Sequence, residues 1–184
     1  MRLRPVLPAF AGLVLVACAG EPEISRPFAG EAAKARRLLV EAAARGAVRL
    51  DMSGLPPTLV PQDAARLAAE GVSGAAVTFT LDAPAAAPRL LLAFDPVTAD
   101  PLRLCAAAPA SRPVSLHRLT AVLCDGSRPV ASVDAIAAGP TASDTERLVW
   151  RTTARLFPDD YPDTYGLNLF GSRLRVGVGG SFGF

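Results

Sequence analysis

The apolar residues of this chain change their spacing in a definite order, and that order constrains the fold more than any composition figure does. Ala35, Leu38, Leu39 and Ala42 recur at helical spacing between residues 31 and 45, and Gly46 stands where a helix-ending glycine belongs. Val48, Leu50 and Met52 then alternate with their neighbours, as one face of a strand does. Pro61 opens a second, short helix running to about Glu70, with Asp63 in its first turn and Gly71 at its end. Strand-like runs follow at 75–81, 89–94, 102–106, 119–124 and 130–136. The simple reading joins 75–81 to 89–94 as a hairpin through a turn around Pro84 to Pro88, and 117–124 to 130–136 through the Asp125-Gly126 turn. Ser143-x-x-Glu146 reads as a capping box. It starts a last helix carrying Leu148, Val149, Thr152 and Leu156, with Trp150 a further candidate for its apolar stripe, and ending near Phe157-Pro158. Helix, strand, helix, several strands, helix predicts an α+β fold. The expectation is a single domain over 31–165, with a largely antiparallel sheet and about three helices packed on one face.

The N-terminus has a different character. Arg2 and Arg4 make a short basic start, and an uncharged apolar stretch runs from Val6 to Ala17. That is the build of a signal-peptide core, and it falls short of the roughly 20 apolar residues a membrane-spanning helix needs. The stretch ends in Leu15-Val16-Ala17-Cys18. These four residues resemble the lipobox of bacterial lipoproteins, a resemblance confined to the first 20 residues or so. It implies a signal peptide over 1–17, cleavage before Cys18, and lipidation of Cys18 as the first mature residue. Two or three acyl chains, each methylene contributing about 0.8 kcal/mol when buried, anchor stably where one does not. Ala19 follows the cysteine in place of the aspartate that retains such proteins in the inner membrane of enteric bacteria. The implied address is the cell envelope, lipid-anchored at the outer membrane and facing the periplasm. Residues 18–30, with Gly20, Pro22, Pro27 and Gly30, read as the lipidated cysteine and a tether.

Taking residues 1–17 from the 184 leaves 167, carrying 17 basic and 17 acidic side chains. A neutral mature chain without a basic arm argues against nucleic acid as a partner. With Cys18 lipidated, Cys105 and Cys124 remain. Export places them in an oxidising compartment, where a pair is more often bridged than free. If their two strand-like runs lie antiparallel, the cysteines face one another across the ladder, and closing a loop of roughly 20 residues stabilises by about 3 kcal/mol. The alternative is two buried reduced thiols.

No catalytic set emerges from the residue pattern. The one histidine, His117, comes with no nucleophile and carboxylate at a recognisable spacing. Histidine-based metal binding is excluded by count, and the cysteines lack CxxC spacing. Asp159, Asp160 and Asp163, interleaved with Tyr161 and Tyr165, offer oxygen ligands but lack the glycine and ligand spacing of an EF-hand loop. No cofactor is implied. The tail over 166–184 is rich in glycine. It reads as a poorly ordered end or an added edge strand in preference to a terminal strand of an outer-membrane barrel. The functional expectation is a membrane-anchored envelope lipoprotein acting as a non-enzymatic binding or assembly module. Its partners would be the membrane, through the lipid, and another envelope protein. The alternative is a periplasmic hydrolase that uses carboxylates, with 159–163 as its candidate cluster.

Overall fold

A computed structural model describes residues 21–24, 31–84, 88–107 and 118–159. Six strands form one sheet: β1 (Glu23–Ile24), β2 (Val48–Ser53), β3 (Phe79–Thr80), β4 (Arg89–Phe94), β5 (Arg118–Asp125) and β6 (Arg128–Ile136). Four helices accompany them: α1 (Glu31–Ala43), α2 (Pro61–Glu70), α3 (Pro101–Ala106) and α4 (Ala142–Leu156). The sheet order is β1-β6-β5-β4-β2-β3. The expected α+β class holds, with a mixed sheet: β1–β6, β6–β5 and β5–β4 are antiparallel, whereas β4–β2 and β2–β3 are parallel.

The inward alternation of β2 is as expected, with Val48 and Leu50 buried and Met52 half-buried on one face. Register carries that face across the sheet. Leu50 stands beside Leu90, Leu90 beside Leu123, and Leu123 beside Ala131. With Leu39, Ala64, Ala68, Leu148 and Leu156 from α1, α2 and α4, these residues make the main core. The opposite face holds a second, smaller core of Leu91, Ala93, Leu104, Cys105, Val122 and Cys124, to which, among the described residues, the short α3 contributes Leu104 and Cys105.

Four expectations are corrected. The run 102–106 is not a strand. Its alternating Leu102 and Leu104 read as one, but Pro101 cannot donate a hydrogen bond and sits at the first helical turn, and the Asp100 carboxylate accepts from the Leu102 amide at 3.1 Å. Helix α3 is the result. The expected hairpin of 75–81 with 89–94 does not form either. Only Phe79 and Thr80 join the sheet, and β2 lies between them and β4. Strand β2, parallel to both, occupies the place beside β4 that the hairpin partner would have taken, and α2 carries the chain from β2 to β3. The capping box is Thr141 with Asp144, two residues earlier than Ser143 with Glu146. The tether is shorter than 18–30, because Glu23 and Ile24 pair with Ile136 and Ala135 at the edge of β6.

The β5–β6 hairpin closes as expected, with Asp125 paired to Arg128 and Gly126 at φ +64° in the two-residue turn. At the β4–β5 end, Asp95 adopts φ +41°, a conformation Asp tolerates better than most residues. Its amide donates to the Arg118 carbonyl at 2.9 Å while its carboxylate accepts from the Arg118 amide at 3.1 Å.

Helices α2 and α4 approach closely at Gly71. A Cβ there would stand 2.6 Å from the Trp150 carbonyl oxygen and 3.0 Å from the Thr153 Cβ. Gly71 has an ordinary helical φ of −70°, so it is space and not backbone conformation that excludes a side chain. Gly71→Ala is expected to destabilise by about 1–3 kcal/mol through overpacking, read as a lower urea midpoint at unchanged slope.

The α4 cap sets an acid limit on stability. The Asp144 amide donates to Thr141 Oγ1 at 3.2 Å, and the Thr141 amide donates to Asp144 Oδ2 at 3.3 Å. The Thr141 hydroxyl above all, then its amide and the Arg147 charge, hold the Asp144 carboxyl below its ordinary 3.8, against partial desolvation. A depressed folded value means the contribution is complete above 3.8 and is lost as pH falls from there through the folded value. Asp144→Asn is expected to lower the thermal midpoint at neutral pH, with the gap to the parent chain narrowing as pH falls below 3.8.

Candidate functional site

The strand alternation that buries Val48 and Leu50 sends Arg49, Asp51 and Ser53 to the opposite face of β2. That face carries α3 and is otherwise free of the three longer helices. In the parallel pairing of β2 with β4, Arg49 and Arg89 are direct neighbours. Two like charges side by side repel, and Asp51, two residues along β2, resolves the conflict. Its Oδ1 accepts from Arg49 Nε at 2.7 Å and its Oδ2 from Arg89 Nη1 at 2.9 Å. The three side chains retain between a fifth and a third of their exposure, at 32%, 22% and 30% for Arg49, Asp51 and Arg89. Charge-assisted bonds of this kind are stronger than neutral ones, and the pair is too far from bulk water to be fully screened.

The arginines also reach the surrounding loops. Arg49 Nη1 donates to the Ala83 carbonyl at 3.3 Å, and Arg89 Nη2 donates to the Cys105 carbonyl at 2.7 Å. The second bond ties β4 to the last turn of α3. Beside the triad lies a cleft of about 500 Å³, with Leu81, Leu91 and Leu104 as apolar wall and Arg49, Arg89 and Ser53 as polar wall. Among the described residues, Arg89 Nε and Ser53 Oγ are buried without a hydrogen-bond partner. A cleft with arginines on one wall and leucines on the other suits a ligand with an acceptor group and a short apolar body. Both Asp51 oxygens are engaged by guanidinium groups, so this carboxylate orders the two arginines.

Cys105 and Cys124 stand under this site at disulfide distance, their Cα atoms 5.6 Å apart. They do not face each other across a ladder as the strand reading required. Cys124 has Arg89 and Pro129 as its strand neighbours, and Cys105 comes down onto it from α3. The bond between them closes a loop of 19 residues and fastens α3 to the sheet. Reduction, or Cys105→Ser with Cys124→Ser, is expected to cost about 3 kcal/mol on the loop-entropy account, measured as the shift in urea midpoint with and without reductant. It should also weaken the Arg89 contact to α3.

Of the residues singled out in the sequence, Cys18 and His117 lie outside the described residues, as do Asp160, Asp163, Tyr161, Tyr165 and the 166–184 tail. Asp159 is described, and is exposed just beyond α4. Among the described residues no three His, Cys, Asp or Glu side chains gather as metal ligands, and no helix is long and apolar enough to cross a membrane. The Arg49–Asp51–Arg89 triad was missed in the sequence. Its signal was present as the polar half of the β2 alternation, Arg-x-Asp-x-Ser, but the partner Arg89 could be assigned only once β4 was known to lie beside β2.

Compared with protein-family models, with curated proteins and with solved structures, the chain matches none of them.

Proposed function

We propose that this chain is a lipid-anchored protein of the bacterial cell envelope, seated on the periplasmic side of the outer membrane, whose α+β domain serves as a non-enzymatic binding or assembly module. The observation that carries this reading is the N-terminal segment: Arg2 and Arg4, the apolar stretch from Val6, and Leu15-Val16-Ala17-Cys18. A second support is chemical. Cys105 and Cys124 lie at bonding distance, an arrangement suited to an oxidising compartment. The domain's role as a binder rests on the cleft beside α3, where arginines ordered by Asp51 adjoin an apolar wall.

Metabolic labelling with an alkyne fatty acid tests the anchor. The parent chain is expected to take up label and to fractionate with membranes, whereas Cys18→Ser takes up none. Equal labelling of the two chains would overturn the reading.

A further inference from the structure

The N-terminal strand lies against α4, and between them runs a groove of about 520 Å³ lined by Pro22, Ile24, Trp150, Arg151, Ala154 and Arg155. Trp150 is 41% exposed although its indole Nε1 donates to the Glu70 carbonyl at 3.2 Å. The Arg151 guanidinium lies 6.0 Å from the Trp150 ring centroid. Arg151 Nη2 also holds the Glu21 carboxylate at 2.7 Å, while its Nε is buried without a hydrogen-bond partner among the described residues. Arg155, one turn further along α4, is exposed in the last helical turn. An indole edge beside guanidinium groups is the side-chain chemistry of a membrane–water interface. The amphipathic ring sits at headgroup level, and arginine reaches phosphate oxygens.

The place where the chain leaves the domain selects the occupant. Glu21 is at the lip of this groove, and only three peptide links separate it from Cys18. Each link spans at most 3.8 Å between Cα atoms, so Cys18 lies within roughly 11 Å of Glu21. A lipid on Cys18 would thus hold this groove within a short reach of the headgroup layer. We propose that the Pro22–Trp150–Arg155 groove is a membrane-docking face that takes phospholipid headgroups, with Trp150 as its interfacial anchor. The proposal rests on the lipidation of Cys18 argued above.

Trp150 is the only tryptophan of the chain, so its fluorescence reports this face alone. The test uses the full chain with its native N-terminal modification, reconstituted into vesicles of phosphatidylethanolamine and phosphatidylglycerol carrying a shallow brominated or spin-labelled lipid. Trp150 is expected to lose most of its emission to the lipid-borne quencher and to become shielded from acrylamide. Arg155→Glu, at an exposed position outside the core, is expected to weaken the quenching while the protein still floats with the vesicles. A lipidated, floating protein whose Trp150 escapes the lipid quencher overturns the docking face alone. So does a Trp150 that is shielded in native envelopes yet unquenched by lipid, since a protein would then occupy the groove. A chain that carries no acyl group and does not float overturns the anchor reading and the docking face with it.

Discussion

Strands β4 and β5 are buried on both sides of the sheet, and the rest of the domain answers that constraint. Residues 90–94 and 119–124 are all buried, so neither strand has a face that water can cover. On one side α1, α2 and α4 supply the cover, with Leu39, Ala64 and Leu148 over Leu90, Leu92 and Leu123. On the other side the cover among the described residues is the six-residue helix α3. A helix that short has little intrinsic stability, so α3 is held by its cap at Asp100, by the link from Cys105 to Cys124, and by the Arg89 bond to the Cys105 carbonyl. Among the described residues, the cover on the α3 side is thus fastened to the sheet by a covalent link as well as by packing.

The Arg49–Asp51–Arg89 triad marks where that second core stops. Moving from β5 through β4 to β2 on the α3 side, Val122 gives way to Leu91 and then to Asp51. A similar polar margin appears toward β6, where Thr120 Oγ1 donates to Asp134 Oδ1 at 2.6 Å and Arg118 pairs with the same carboxylate at 3.3 Å. The apolar strip is therefore bounded on either side by an aspartate that organises cationic or hydroxyl groups.

How much of this was legible depended on the range of the interaction. Several local patterns are legible in the sequence. The alternation of Val48, Leu50 and Met52, the turn at Asp125-Gly126 and the glycine after Glu70 each involve neighbours in sequence. The continuous apolar run over 89–94 was legible as a buried strand, but nothing within it specified which strands flank it. Parallel pairing through a crossover is set by packing between distant segments, so β3 was assigned to the wrong partner. Residues 102–106 show the opposite failure. Their strand-like alternation conceals a helix whose start signal, Asp100-Pro101, stands immediately before them. The candidate site was invisible because each of its residues, taken alone, is an unremarkable charged side chain on a strand.

Strand β1 is two residues long and joins the sheet by its pairing with Ile136 and Ala135. For a chain fixed at Cys18, a pull on the lipid would load this small element and the exposed Glu21–Arg151 ion pair before it loaded the core. Such a pair contributes little in water, so the element can peel while the sheet survives. Thirteen peptide links would then separate Cys18 from Glu31 at the start of α1, a span of up to roughly 45 Å at full extension. If Cys18 carries the lipid proposed for it, the segment before α1 would serve both as attachment and as a reserve of length.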